Sequence, residues 1–246
     1  MKIKNGTLIS INKKKDIKNG HFTIPDTVKR IDDAVFQYCK GLKSVTIPDS
    51  VTHIGDDAFR CCTSLENIII PGSVTGIGPF AFCSCTSLTS VTIRSGVTYI
   101  CSYAFYGCIE LTNVTIPDSV KYIGMSAFDY CNKLKRPNIS VNTIKAVKGF
   151  YEYGDNLVCK NFVYEVGKTY DEPKAKLCES GFHACMLGLD VFTYYAGNNA
   201  VYYEVELSGI SPERKDDSKI CGTTITILRK LTVAEAANYV SKEVEQ

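Results

Sequence analysis

The chain is poor in net charge, in histidine and in long apolar runs, and each shortage closes off a class of function. It carries 28 Lys and Arg against 26 Asp and Glu, a formal charge of +2, with three histidines. A strongly basic nucleic-acid footprint is missing, so direct binding to DNA or RNA is not expected. No stretch approaches the roughly 18 consecutive apolar residues that a membrane span requires. The segment from Met1 to Lys15 lacks an apolar run followed by a small-residue cleavage site, so it does not read as a secretory signal and the expected location is cytoplasmic. Disorder is excluded as well, because 45% of the residues are hydrophobic. What charge there is divides unevenly. Residues 1–145 hold 17 Lys and Arg against 11 Asp and Glu, and residues 146–246 hold 11 against 15.

What the chain does have is a repeat of 23 residues, seen in the columns Ile24, Ile47, Ile70, Ile93, Ile116, Ile139 and Phe36, Phe59, Phe82, Phe105, Phe128. A fixed period of this length marks a solenoid of the leucine-rich-repeat kind. Within each unit Leu-x-x-Val-x-Ile places three apolar side chains toward one interior, as in Leu42, Val45 and Ile47, and reads as a parallel strand. The proline that follows, at Pro25, Pro48, Pro71 and Pro117, has no N–H for the ladder and ends the strand. Val51 and Ile54 then recur as Val74 and Ile77, Val97 and Ile100, and Val120 and Ile123, with Gly55, Gly78 and Gly124 allowing a tight path. The Ala-Phe-x-x-Cys segment reads as a short helical turn that inserts its ring into the core. Before the first repeat, Leu8–Ile11 reads as a strand and Lys13–Lys15 as an exposed turn, together a polar cap.

These residues closely resemble the BspA-like, or Treponema-type, leucine-rich repeats over about residues 20–140. The resemblance implies a parallel-strand solenoid used for adhesion or protein recognition. Arg94 and Ser95 depart from the Pro-Asp of the pattern. Pro137 stands in the Val slot and is read as the point where the array stops.

Cys39, Cys62, Cys85, Cys108 and Cys131 occupy one repeat position, which reads as a column of buried thiols rather than a disulfide framework. Successive members would sit about 4.8 Å apart, so oxidation of some of them in air is read as a handling artefact. The outward strand positions, Ser44 and Thr46, Asn67 and Ile69, Ser90 and Thr92, Asn113 and Thr115, and Arg136 and Asn138, are mostly small and neutral. Candidate interface anchors are therefore Tyr38, Tyr99, Tyr103, Tyr106, Tyr122 and Tyr130 with Arg136, since tyrosine and arginine are enriched at binding hot spots.

Past Pro137 the period is lost. The expected fold class is α+β: a solenoid with its N-terminal cap over residues 1–141 and a small mixed α/β domain over residues 142–246. Residues 142–149 read as a linker, Phe162–Val166, Val201–Leu207 and Thr223–Arg229 as strands, and residues 188–196 as a short helix. Thr232 with Glu235 forms a capping box before a terminal helix. The segments Tyr164–Tyr170, Leu177–Cys185, Asp190–Tyr195 and Tyr203–Gly209 resemble an uncharacterised domain found in phage and prophage proteins. A fainter resemblance, carried by Gly181-Phe182-His183-Ala184, the tyrosine-bearing helix and Glu204–Gly209, is to poly(ADP-ribose)-polymerase-like transferase cores, without their upstream His-Gly strand or the glutamate of the late strand. Candidate site residues here are His183, Tyr194, Tyr195 and Glu204. Cys178, His183 and Cys185 with Cys159 or Cys221 have the chemistry for zinc but not two compact ligand pairs, so no metal and no cofactor are expected.

The functional expectation is a non-catalytic module that recognises a protein or protein complex, phage- or prophage-encoded, binding and inhibiting a host protein or defence complex. The alternative is an ADP-ribosyltransferase-like or nucleotide-handling enzyme in the second domain, targeted by the repeats.

Overall fold

A computed structural model of the chain describes residues 1–134, 143–153, 156–159, 162–171, 182–185, 191–196, 200–208, 219–222, 224–239 and 242–243. It divides into two compact units, Met1–Leu134 and Lys135–Gln246.

The first unit is a solenoid whose coils stack in strict 23-residue register. The Leu-x-x-Val-x-Ile strands, His21–Thr23, Ser44–Thr46, Asn67–Ile70, Ser90–Ile93 and Asn113–Thr115, run parallel along one wall. Ser90 faces Asn67 on one side and Asn113 on the other. A second parallel ladder, which the sequence does not announce, is built from the two-residue strands Arg30–Ile31, His53–Ile54, Gly76–Ile77, Tyr99–Ile100 and Tyr122–Ile123. Two residues of extended backbone carry too little periodicity to be recognised. At its start, Lys2–Lys4 folds back antiparallel on Thr7–Ser10 through Asn5 and Gly6, both at positive φ, and covers the open sheet edge.

The Ala-Phe-x-x-Cys segment is not a helical turn. Its alternate amides donate to the next coil, as in Asp57 to Pro79, Phe59 to Ala81 and Cys61 to Cys83, while those between close turns within the coil, as in Arg60 to Asp57. To aim every second amide along the axis, the chain takes left-handed φ at Ala34 and Tyr38, Asp57 and Cys61, Phe80 and Ser84, Tyr103 and Gly107, and Ser126 and Tyr130. Each non-glycine residue there costs about 1 kcal/mol or more, and the hydrogen bonds to the next coil offset it.

Inside, Phe36, Phe59, Phe82, Phe105 and Phe128 form a continuous stack. Ring centroids are 4.7 to 5.2 Å apart with planes within 10° of parallel, and Phe22 closes the first end edge-on at 5.1 Å. The cysteine column lies beside it, four of its thiols donating to a phenylalanine carbonyl of the preceding coil: Cys62 to Phe36, Cys85 to Phe59, Cys108 to Phe82 and Cys131 to Phe105. Burial pushes the Cys62 thiol up from 9.0 to about 12 and raises Cys85 and Cys108 well above their ordinary value. All five thiols of the column are free and buried, and at Cys62, Cys85 and Cys108 burial disfavours the thiolate that exchange needs.

The second unit is mostly strand. Thr143–Tyr153 pairs along nine residues with Ala200–Ser208, which pairs with Thr224–Leu231, and that with Thr169–Asp171. On its other edge the long strand meets Asn156–Cys159, Phe182–Cys185 and Lys242–Glu243 in turn, and Asn156–Cys159 carries Phe162–Tyr164. The expected linker is thus strand from Thr143 onward. The two ends of this six-strand path are joined by only Glu165–Lys168. Five steps of about 4.8 Å exceed the roughly 18 Å that so short a connection can span, so the sheet is curled. Tyr164 and Tyr170 meet edge-on at 5.1 Å across the join, and Glu165 N–H donates to the Tyr170 hydroxyl at 2.8 Å. The enclosed core gathers Ala146, Phe150, Leu157, Tyr203, Val205, Leu207, Ile225 and Ile227. Helices are short, Val191–Tyr194 and Val233–Ala237, the latter opened by the expected Thr232 and Glu235 capping box.

Three expected outcomes test this packing. A Cβ at Gly124 would stand 2.3 Å from the Ser102 backbone nitrogen, whereas one at Gly107 would meet nothing nearer than 3.6 Å. Gly124→Ala should therefore lower unfolding stability by about 1–3 kcal/mol and Gly107→Ala by only the left-handed strain of about 1 kcal/mol, both read from urea midpoints. A raised thiol pKa contributes stability that is full below the unfolded value and lost as the pH climbs toward the folded one. Stability should thus fall between pH 9.0 and about 12, less steeply in Cys62→Ala. In the folded protein iodoacetamide should modify half-exposed Cys61 well before Cys62, Cys85 or Cys108.

Candidate functional site

The six candidate tyrosines fall into two groups. Tyr99 and Tyr122 are register partners on the second ladder, in the column Arg30, His53, Gly76, Tyr99, Tyr122. The Tyr99 ring lies over Gly76, where a Cβ would come within 2.7 Å of it. Burial, and then the charge of Arg30, hold the neighbouring His53 below its ordinary pKa.

Tyr103, Tyr106 and Tyr130 come together at the phenylalanine corner of the coils. Tyr103 stacks on Phe80 at 4.9 Å with the planes 3° apart. Tyr106 stands edge-on to Tyr103 at 5.6 Å and 64°, and is tilted by 60° to Tyr130 at 5.0 Å. Partial burial, and then the neighbouring Tyr130, raise the Tyr106 pKa. The Arg60 guanidinium lies 5.5 Å above the Phe80 ring and is held at its other side by Asp57, 3.0 Å away. Its Nε is buried without a hydrogen-bond partner, a cost that the ring face beneath it offsets in part. Tyr38 sits at the same corner, its N–H donating to the Arg60 carbonyl at 2.8 Å. The result is a surface strip running Tyr38, Arg60, Phe80, Tyr103, Tyr106, Tyr130, with its two end tyrosines 55% and 60% exposed.

Sequence reasoning missed Arg60 and Phe80. The signal was present, because Phe80 fills the slot held elsewhere by Ala34, Asp57, Tyr103 and Ser126, and that slot is outward. Arg136 lies outside the described residues. The neutral strand wall is outward as expected, but part of it is self-satisfied: Ser90 donates to Asn67 at 2.6 Å, and Thr89 and Thr112, which lead into their strands, each donate to a carbonyl of the preceding coil.

In the second unit Tyr195 and Glu204 belong to separate hydrogen-bonded networks. Tyr195 packs directly on Gly149, its hydroxyl 2.9 Å from the Cys159 thiol, and its carbonyl accepts from the Tyr202 hydroxyl at 2.9 Å. Burial, then the adjacent Cys159, raise the Tyr195 pKa. The Lys148 ammonium, from the one buried charged residue among those described, lies 5.5 Å from the Phe150 ring and 5.8 Å from that of Tyr195. Tyr194 is half-buried on the short helix. Glu204 belongs to a separate network. It accepts from Arg229 Nε at 2.9 Å and from the Tyr239 hydroxyl at 2.8 Å, while Arg229 also binds Glu235 at 3.0 Å. The Thr232 amide, then Arg229, hold the Glu235 carboxyl below its ordinary pKa. This network locks the terminal helix to the sheet and gives Glu204 a structural occupation. His183 pairs in the sheet with Cys221, its side chain outside the described residues, as is Cys178. No group of three metal-ligating side chains occurs among the described residues. Glu204→Ala should leave the Tyr239 hydroxyl without its acceptor and lower the stability of the second unit by about 1–3 kcal/mol, measured by thermal unfolding.

Comparison with known proteins follows this division. Residues 144–238 match the model of a domain of unknown function, DUF7666. No curated protein matches the chain. Among solved structures, a leucine rich cell surface protein from Faecalibacterium prausnitzii is 37% identical over 55% of this chain and 35% of its own, with a TM-score of 0.50. The leucine rich repeat protein of T. pallidum is 32% identical over 47% of this chain and 56% of its own, at 0.46. One from Eubacterium ventriosum is 32% identical over 55% and 43%, at 0.44. The matched part thus spans between about a third and just over half of those proteins. Residues 11–135 match the model described as the BspA type leucine rich repeat region in six copies, and the chain belongs to that family.

Proposed function

We propose that the chain is a non-catalytic recognition module that binds a protein through the aromatic strip of its solenoid. Leucine-rich repeat proteins commonly bind proteins. The observation that carries this reading is the strip itself: six outward side chains from five consecutive coils, with Phe80, Tyr103, Tyr106 and Tyr130 in mutual ring contact. Rings held in place by a rigid stack lose little conformational freedom on binding, which is what makes tyrosine and arginine effective anchors.

The setting attached to this reading is a phage- or prophage-encoded protein acting in the cytoplasm on a host protein or defence complex. It rests on the sequence resemblance noted for residues of the second unit, whose matched family is one of unknown function. The Faecalibacterium relative is described as a cell surface protein, and at a surface the same strip would meet an extracellular protein. No helix among the described residues is long and apolar enough to cross a membrane. Fractionation of producing cells decides between the two locations.

The test of recognition is photo-crosslinking in lysate from a crosslinker at position 38, comparing the wild-type strip with Tyr103→Ala/Tyr106→Ala/Tyr130→Ala and with Ile69→Ser on the strand wall. The triple variant should lose at least tenfold of the crosslinked protein and Ile69→Ser should keep it. Equal capture by all three would remove the strip from the binding surface.

A further inference from the structure

The positive charge of the first unit is not spread along it. Residues 1–43 carry ten Lys and Arg against four Asp, whereas residues 44–145 carry seven against seven. The two sets are also placed differently. Farther along the solenoid Arg60 pairs with Asp57, Arg94 with Asp49 and Lys133 with Glu110. The ten cations of residues 1–43 are all exposed, and none of them stands in an ion pair among the described residues. Several adjoin the first end of the aromatic strip. Lys13 Nζ donates to the carbonyl of Gln37, the residue before Tyr38. Lys14 and Lys15 belong to the same turn, their amides donating to the Asn12 side chain, and the Lys40 amide donates to the Tyr38 carbonyl. The strip therefore begins among unpaired ammonium groups and ends on Tyr106 and Tyr130.

We infer that the protein recognised by the strip is acidic where it meets this end, presenting a cluster of Asp and Glu carboxylates to Lys14, Lys15 and Lys40. The inference rests on the recognition reading above and names the chemistry of the partner. Exposed like charges repel one another, and these have no carboxylate of their own fold to offset the repulsion. An outside carboxylate cluster supplies it. Opposite charge at the edge of an interface also speeds encounter and fixes which way round the partner lies, which the tyrosines alone would leave open. The surroundings favour a protein over other anions. Nucleic-acid bases stack on open ring faces, whereas Tyr103 lies face to face with Phe80 and edge-on to Tyr106. An anionic membrane surface is gripped by exposed Trp, Phe or Leu beside the lysines. The chain has no Trp, and the Phe80 ring is covered by Arg60 and Tyr103.

The test is binding of the full chain to four probes at low and at high salt. Two are labelled peptides followed by fluorescence anisotropy, one with a glutamate block joined to a leucine-bearing block and one with glutamine in place of the glutamates. The others are a labelled single-stranded oligonucleotide and vesicles of phosphatidylcholine with phosphatidylserine. The glutamate peptide should bind at least tenfold more tightly than the glutamine peptide at low salt, and the difference should shrink at high salt. Lys14→Gln/Lys15→Gln/Lys40→Gln should abolish the difference. Lys121→Gln/Lys133→Gln/Lys168→Gln, which removes the same charge elsewhere, should keep it. Circular dichroism of both variants checks that they are folded. The inference is overturned if the two peptides bind alike, if neither binds, if the two lysine variants act equally, or if the oligonucleotide or the vesicles bind more tightly than the glutamate peptide. Failure of the glutamate peptide with continued loss of the crosslinked protein in the tyrosine triple variant would remove the acidic partner and leave recognition standing.

Discussion

Every amide that points along the axis of the solenoid has to find a carbonyl at the same place in the next coil, and this single requirement fixes the rest of the first unit. It sets the period at 23 residues, because a slipped coil would lose three ladders together. It forces the phenylalanine corner into alternating left-handed residues, and it brings coils so close at Gly124 that a methyl group would strike the Ser102 nitrogen. The phenylalanine stack and the thiol donors then fill what the backbone has spaced. Their contacts follow from the register and reinforce it.

The second unit meets the same requirement differently, by curling its strands until Phe162–Tyr164 and Thr169–Asp171 are one short connection apart. Two of its described polar networks hold that arrangement together. Tyr195 bonds Cys159, and Glu204 bonds Arg229 and Tyr239. Side chains with fixed partners inside a fold, such as Tyr195 and Glu204, are poor candidates for contacts outside it. On the solenoid the rings of the strip are ordered by each other and remain open to solvent.

The solenoid was legible because each of its core positions recurs in every coil, so that Ile47 or Phe59 is read with its counterparts on either side. What escaped were features written once or in too few residues. The second ladder has two residues per strand, and the left-handed corner is occupied by residues as different as Ala34, Asp57 and Phe80, with glycine to mark it only at Gly107. Residues 142–149 read as a linker because the 23-residue period is lost there, yet Thr143–Gly149 is strand. Its strand character comes from Ala200–Ser208, more than fifty residues away in sequence. The tyrosines could be named from the sequence but not sorted, since which of them touch depends on which column each occupies. The pairing of Tyr195 with Cys159 joins residues 36 apart that share no motif.

The phenylalanine stack has one more consequence. Because each ring contacts only the ring before and the ring after, and every coil carries the same interior, the solenoid is a ruler graduated in steps of about 4.8 Å. Inserting or excising one whole repeat would change the length of the outer strip by one graduation and leave the interior chemistry as it was. Reach and composition of the exposed surface are in this way separable from the stability of the protein, and a lineage could alter what it grips, coil by coil, without having to refound the core.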